Sequence, residues 1–144
     1  MEKVIKLGSK IKIISKKELG QENFICSIID FSPSLIVLAG FLLKIPKNFI
    51  KNFNNRIINI HPSLLPKYGG KGMYGQFVHK KIIENKEMKS GITIHFVNEK
   101  YDEGEIIFQK DLEIKEPKTS ESLANQIHEL EMKHFPIIIE KLIS

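Results

Sequence analysis

Apolar residues occur along the chain in two kinds of run, and the contrast between them predicts most of the architecture. Ser34-Leu35-Ile36-Val37-Leu38-Ala39-Gly40 is continuously apolar, as a parallel strand buried on both faces would be. Arg56–His61 reads as a second buried strand, ended by Pro62. Gly91–Asn98 alternates instead, with Ile92, Ile94 and Phe96 set against Thr93, His95 and Val97, which is the period of a strand. A tight turn at Tyr101-Asp102-Glu103-Gly104 leads into a further strand over about Glu105–Ile114, and Lys10–Ile14 alternates as a short one. Helical spacing marks the rest. Residues 2–7 read as a helix end closed by Gly8, and Ser15 caps a segment through Ile29 that carries Phe24, Ile25, Ile28 and Ile29. Pro46 opens a short helix to Phe53, and Gln76–Asn85 forms another. A long amphipathic helix starts near Ser120, with Pro136 as a kink or break.

Residues 63–75 hold four glycines and fit no regular element, so this loop is expected to wrap a ligand or to move. Strand and helix alternate to about residue 62; two antiparallel-looking strands and a closing helix follow. The fold expected is α/β, an open doubly wound and mainly parallel sheet with a mixed C-terminal part. There is no internal repeat, and 144 residues make one domain.

Composition narrows the function. Hydrophobic residues make up 42%, and no stretch approaches the roughly 18 apolar residues of a membrane span. The N-terminus has no apolar signal core, so a cytoplasmic protein without membrane association is expected. Cys26 is the single cysteine, which excludes an internal disulfide and a cysteine-based zinc site. The net charge of +5 comes almost wholly from scattered lysines, Arg56 being the one arginine, and no aromatics interleave with them. Nucleic-acid binding is therefore not expected, although a mildly positive surface favours anionic small molecules.

Asn59 and His61 stand two apart at the end of a buried strand, so their side chains share a face. The C-terminal edge of parallel strands is where open α/β sheets hold ligands. An amide beside an imidazole suits the stabilisation of a developing oxyanion at a carbonyl carbon. The same two residues also suit the satisfaction of local backbone groups, and spacing does not choose between the readings. Asp102 is an ordinary turn residue by position. Placed near His61, its carboxylate would favour the cationic ring or hold a proton-carrying water. The five histidines show no metal-ligand spacing, and no metal is expected.

Four stretches taken in order resemble the folate-dependent formyltransferases. They are Leu38-Ala39-Gly40-Phe41, Asn59-Ile60-His61-Pro62-Ser63-Leu64-Leu65-Pro66-Lys67-Tyr68, Gly91-Ile92-Thr93-Ile94-His95-Phe96-Val97 and Asp102-Glu103-Gly104. The likeness covers essentially the whole chain, and its Asn-x-His-Pro-Ser-Leu-Leu-Pro stretch is highly specific for that superfamily. Pro62 and Lys67-Tyr68-Gly69-Gly70 favour the purine-synthesis branch, while the insert-like residues 70–75 depart from the shorter loop of many members and fit one bacterial subgroup.

The resemblance implies transfer of a formyl group from 10-formyltetrahydrofolate, as cosubstrate, to the amine of glycinamide ribonucleotide, by direct attack of the amine. It makes His61 the catalytic imidazole that polarises the formyl oxygen, with Asn59 beside it. Asp102 would keep His61 cationic and order a water. Leu42, Leu43, Lys44 and Ile45 match a folate-lining stretch, and Asn98, Glu99, Lys100 and Tyr101 the loop over the pterin. Gly40, Glu131 and His128 are assigned to the nucleotide substrate; for Glu131 a solvated helix face is the competing reading. A monomer or homodimer is expected.

The family begins with a strand, a Gly-rich loop and a helix whose N-terminus holds the substrate phosphate. Gly8-Ser9 is a helix end rather than such a loop, so residues 1–144 are read as one formyltransferase domain that is N-terminally truncated. The Leu35–Gly40 strand would then be an unprotected edge, and the chain alone is expected to be unstable and to bind glycinamide ribonucleotide poorly. Three alternatives stand beside the leading reading: a formyltetrahydrofolate hydrolase, a methionyl-tRNA formyltransferase relative, and an inactive or folate-binding fragment that needs a separate N-terminal piece.

Overall fold

The computed structural model describes residues 10–115 and 119–144. The helix end expected at residues 2–7 and Gly8 lies outside them. Among the described residues four strands form one open sheet in the order β1-β2-β3-β4: β1 (Ile36–Leu38), β2 (Ile57–His61), β3 (Lys89–Phe96) and β4 (Ile106–Glu113). The β1–β2 pair is parallel, and the β2–β3 and β3–β4 pairs are antiparallel. The helices are α1 (Glu22–Phe31), α2 (Lys47–Asn52), α3 (Gln76–Glu84) and α4 (Ser120–Ile143).

Two layers of side chains close on this sheet. On one side Leu19 and Ile25 pack with Ile45, Phe49, Ile50, Phe53 and Ile57, tying α1 and α2 to the start of β2. The Phe49 and Phe53 rings lie 4.8 Å apart at 44°, a tilted aromatic pair. Val78 and Ile82 of α3 meet Leu123 and Ile127 of α4 over Ile92. Further along α4, Phe135 covers Ile58 and Ile94 at the centre of the sheet.

Several expectations are corrected. Lys10–Ile14 forms no strand: a strand exists through its ladder, and this segment has no ladder partner among the described residues. Its Ile11 and Ile13 are exposed, while Ile14 packs on the first core cluster. The segment from Ser15 divides in two. The Ser15 hydroxyl donates to the Glu18 carboxylate at 2.7 Å, Glu18 N–H donates back to it at 3.3 Å, and a short 3-10 turn (Glu18–Gly20) follows. Gln21 is extended (φ −78°, ψ 142°), so the helix proper starts only at Glu22.

β1 is not buried on both faces either. Among the described residues it has β2 on one side only, and Val37 stays 36% exposed while Ile36 and Leu38 pack inward. The break expected at Pro136 does not occur, since α4 runs through it to Ile143. The missing proline N–H forfeits one bond to the Met132 carbonyl, and the packing of Phe135, Ile138 and Ile139 on the sheet holds the helix across that gap.

Gly104 shows how tightly the turn before β4 is fitted. A Cβ there would overlap the Phe96 carbonyl, which already accepts from the His95 ring. Gly104→Ala is expected to cost about 1–3 kcal/mol, read as a lower urea midpoint.

Candidate active site

Register brings the polar residues together. In the antiparallel β2–β3 pair Asn59 lies opposite His95, and His61 opposite Thr93. Directly opposite residues share a face, so these four side chains gather on one side of the sheet. The β3–β4 register shifts between Ile94 and His95, a bulge of the kind that re-aims a side chain.

The loop after β2 folds over this face. Thr93 Oγ1 donates to the Ser63 carbonyl at 2.7 Å and accepts from Leu65 N–H at 3.0 Å and from Gln109 Nε2 at 2.9 Å. That network returns the loop so that the Tyr68 carbonyl lies 2.7 Å from His61 Nε2. Tyr68 has φ +58°, unusual for a bulky residue. Its hydroxyl is clamped, accepting from Asn85 Nδ2 at 2.8 Å and donating to Glu87 at 2.9 Å. Tyr68→Phe is expected to lose about 0.5–1.5 kcal/mol through those bonds, checked by urea denaturation.

The hydrogen bonds fix protons. His95 Nδ1 is 2.8 Å from the Phe96 carbonyl, a pure acceptor, so it carries the hydrogen there. Nε2 of the neutral ring is then a lone pair, and Asn59 must present its NH2 to it, at 3.3 Å. Asn59 keeps its second N–H for another partner. By the same logic His61 carries its hydrogen on Nε2, toward the Tyr68 carbonyl, and the lone pair of its neutral ring is on Nδ1.

Asp102 lies between the two imidazoles. Its Oδ2 is 3.6 Å from His61 Nδ1, and its Oδ1 is 3.6 Å from His95 Nε2. Gly70 N–H donates to Oδ2 at 2.8 Å, tying the Gly-rich loop to the turn. Burial alone would raise the Asp102 carboxyl, but His95, the His61 charge and the Gly70 N–H together outweigh it and hold the group below its usual range. His61 goes the other way from expectation. It is only 4% exposed, and burial pushes its ring below the ordinary histidine value despite the attraction of Asp102. The expected resting imidazolium is therefore corrected to a neutral ring, because the low-dielectric surroundings penalise the charge more than one carboxylate at 3.6 Å rewards it.

These residues line a cavity of about 760 Å³ between the end of β2, the loop over residues 70–75 and α4. It gathers most but not all of the residues singled out from sequence. Asn59, His61, Asp102, Tyr101, Leu42 and Gly40 line it, and His128 and Glu131 face it from α4, 3.4 Å apart. Four others do not line it: Leu43 is exposed, Lys44 reaches over the Tyr101 ring at 5.7 Å, Ile45 is buried in the core beneath α2, and Lys100 pairs with Glu103. Asn98 and Glu99 line a smaller, separate pocket with Lys51 and Asn55, and Glu99 pairs with Lys47 at 2.7 Å. No sequence pattern marked the Tyr68 carbonyl, His79 in the cavity wall or His95 as the Asn59 partner, since each depends on chain segments meeting in space. Among the described residues no group of three or more His, Cys, Asp or Glu is placed to hold a metal, and no helix is long and apolar enough to cross a membrane.

An Asn-His pair at a strand end, a carboxylate held between two imidazoles and a Gly-rich loop over the cavity coincide with a family match. The family described as Formyl transferase matches residues 2–139, and the chain belongs to it. The chain is 42% identical over 109 residues to the chloroplastic phosphoribosylglycinamide formyltransferase of Arabidopsis thaliana, covering 76% of this chain and 37% of that protein. It is 40% identical over 109 residues to the Bacillus subtilis phosphoribosylglycinamide formyltransferase, covering 76% of this chain and 53% of that one. The crystal structure of phosphoribosylglycinamide formyltransferase from Bacillus halodurans superposes with a TM-score of 0.84 at 28% identity, covering 99% of this chain and 74% of that chain. The chain thus spans between about a third and a half of the length of these two curated relatives.

Proposed function

We propose that this chain carries the formyl-transfer centre of a phosphoribosylglycinamide formyltransferase, moving a formyl group from 10-formyltetrahydrofolate to the amine of glycinamide ribonucleotide in purine synthesis in the cytoplasm. The observation that carries the reading is the Asn59–His61 pair at the C-terminal end of β2, with the Asp102 carboxylate 3.6 Å from the His61 ring. The cavity walls suit such a donor: Phe41, Leu42 and Tyr101 offer apolar and aromatic surface to a flat heterocycle, and Asn59 and His61 offer the polar groups that a formyl centre needs.

In this reading the amine attacks the formyl carbon, a C–N bond forms, and negative charge builds on the formyl oxygen. The free N–H of Asn59 donates to that oxygen. His61, neutral at rest, takes a proton at Nδ1 as the amine adds. The Asp102 carboxylate then stabilises the imidazolium, whose charge stands beside the oxyanion. The proton passes on to the departing folate nitrogen as its bond to the formyl carbon breaks, returning His61 to the neutral ring. Here burial of His61 serves the chemistry, because it keeps the base unprotonated until a substrate proton arrives.

The test is formyl transfer with the full chain, 10-formyltetrahydrofolate and glycinamide ribonucleotide. Formylated product above the enzyme-free rate is the expected result. Formate release independent of the amine would instead assign a hydrolase, and folate binding without either product a binding fragment.

A further inference from the structure

The wall of the cavity contains an imidazole that the protein does not use. His79 sits on α3, which begins after Gly75 and turns Val78 and Ile82 into the core against α4. His79 is only 5% exposed, lines the cavity across from His128 and Glu131, and its Nδ1 is buried without a hydrogen-bond partner. Buried polar atoms nearly always have partners, and an orphan in a cavity wall is where a ligand is expected to supply one. The other orphan among the described residues, Ser90 Oγ near the start of β3, lines no such cavity.

The state of the ring selects the kind of partner. Burial, and to a smaller extent the nearby His61, push His79 below the ordinary histidine value, so it is neutral near pH 7. A neutral imidazole has one donor and one acceptor. A hydroxyl or an amide matches it, whereas a phosphate would require the protonated ring that burial opposes. Position agrees: His79 stands between the formyl-transfer centre at His61 and the His128–Glu131 pair on α4, along the path that an elongated polar substrate would occupy.

We propose that His79 is a specificity-determining residue that hydrogen-bonds a neutral hydroxyl or amide group of the amine-bearing substrate. This rests on the formyltransferase reading above. The test compares the full chain with His79→Phe and His79→Gln in steady-state kinetics, calorimetric titration with glycinamide ribonucleotide, and urea denaturation. His79→Phe removes the orphan and keeps the ring volume, so its urea midpoint is expected to be unchanged or higher. Its KM and Kd for glycinamide ribonucleotide are expected to rise about 3- to 10-fold, the loss of one neutral hydrogen bond. Its kcat and its KM for 10-formyltetrahydrofolate are expected to stay within about 2-fold on the same argument. His79→Gln, which keeps a donor and an acceptor, is expected to recover most of the affinity.

Wild-type binding and turnover that His79→Phe leaves untouched would overturn this inference alone. Equal losses toward both substrates, or a lowered urea midpoint in both variants together with weaker binding, would assign His79 a packing role and overturn it as well. Failure of the wild-type chain to bind or formylate glycinamide ribonucleotide would overturn the formyltransferase reading first, and this assignment with it.

Discussion

His61→Gln is expected to lower kcat/KM for formyl transfer by about 10²- to 10⁴-fold, the contribution of a positioned acid–base group. Glutamine is chosen because its amide N–H can still donate to the Tyr68 carbonyl, the bond that holds the ring at 2.7 Å. What it cannot do is accept and release a proton near neutral pH. The variant therefore separates proton transfer from loop geometry, and its urea midpoint should stay close to the wild-type value. The wild-type pH profile follows from the direction of the His61 shift. The active form is the neutral ring, so activity should rise with pH through a value below the ordinary histidine range and level off above it. The same lowered value affects stability. The unfolded chain binds a proton at a higher pH than the folded one, so His61's contribution is complete above the ordinary value. It is lost as pH falls from there through the folded value. Activity that rises with acidification instead would show that the imidazolium is the working form.

Asp102→Asn is the second large effect. Asparagine keeps an oxygen to accept from Gly70 N–H, the 2.8 Å bond between turn and loop, and removes only the charge. An opposite charge at this range is worth about 1–3 pKa units to an imidazolium, so kcat should fall about 10- to 10³-fold. The acid limb of the pH profile should move to still lower pH, because the attraction that partly offsets burial at His61 is gone. Asp102 titrates below its usual range, so the stability it contributes is present above the ordinary carboxylate value and is lost as pH falls through the folded value. The stability gap between wild type and Asp102→Asn should accordingly narrow in acid. A variant with normal turnover and an unmoved acid limb would remove Asp102 from the chemistry.

The elements that were legible in the sequence are those whose cause is local. β2 and β3 were marked by apolar runs and alternation, α2 by Pro46 at its start, and α4 by its cap, where Thr119 accepts from Ser122 N–H at 3.0 Å. Two-residue periodicity likewise put Asn59 and His61 on one face. Lys10–Ile14 failed for the complementary reason: alternation describes a residue pattern, whereas a strand needs a neighbour to bond. β1 also had the composition of a doubly covered strand, but cover comes from other segments.

Sequence by itself determined which side chains were available and which of them local geometry must pair: the amide and imidazole on β2, the glycines of the loop and the carboxylate in a turn. Tertiary structure alone decided that Asp102 reaches His61, that His95 and not solvent receives the Asn59 amide, and that the Tyr68 carbonyl fixes the His61 proton on Nε2. It also reversed the expected charge of His61. Contacts between residues 59 and 95 or 61 and 102 depend on sheet register and loop return, which no short-range pattern encodes. The protonation of a ring depends on how much water the whole fold removes from it.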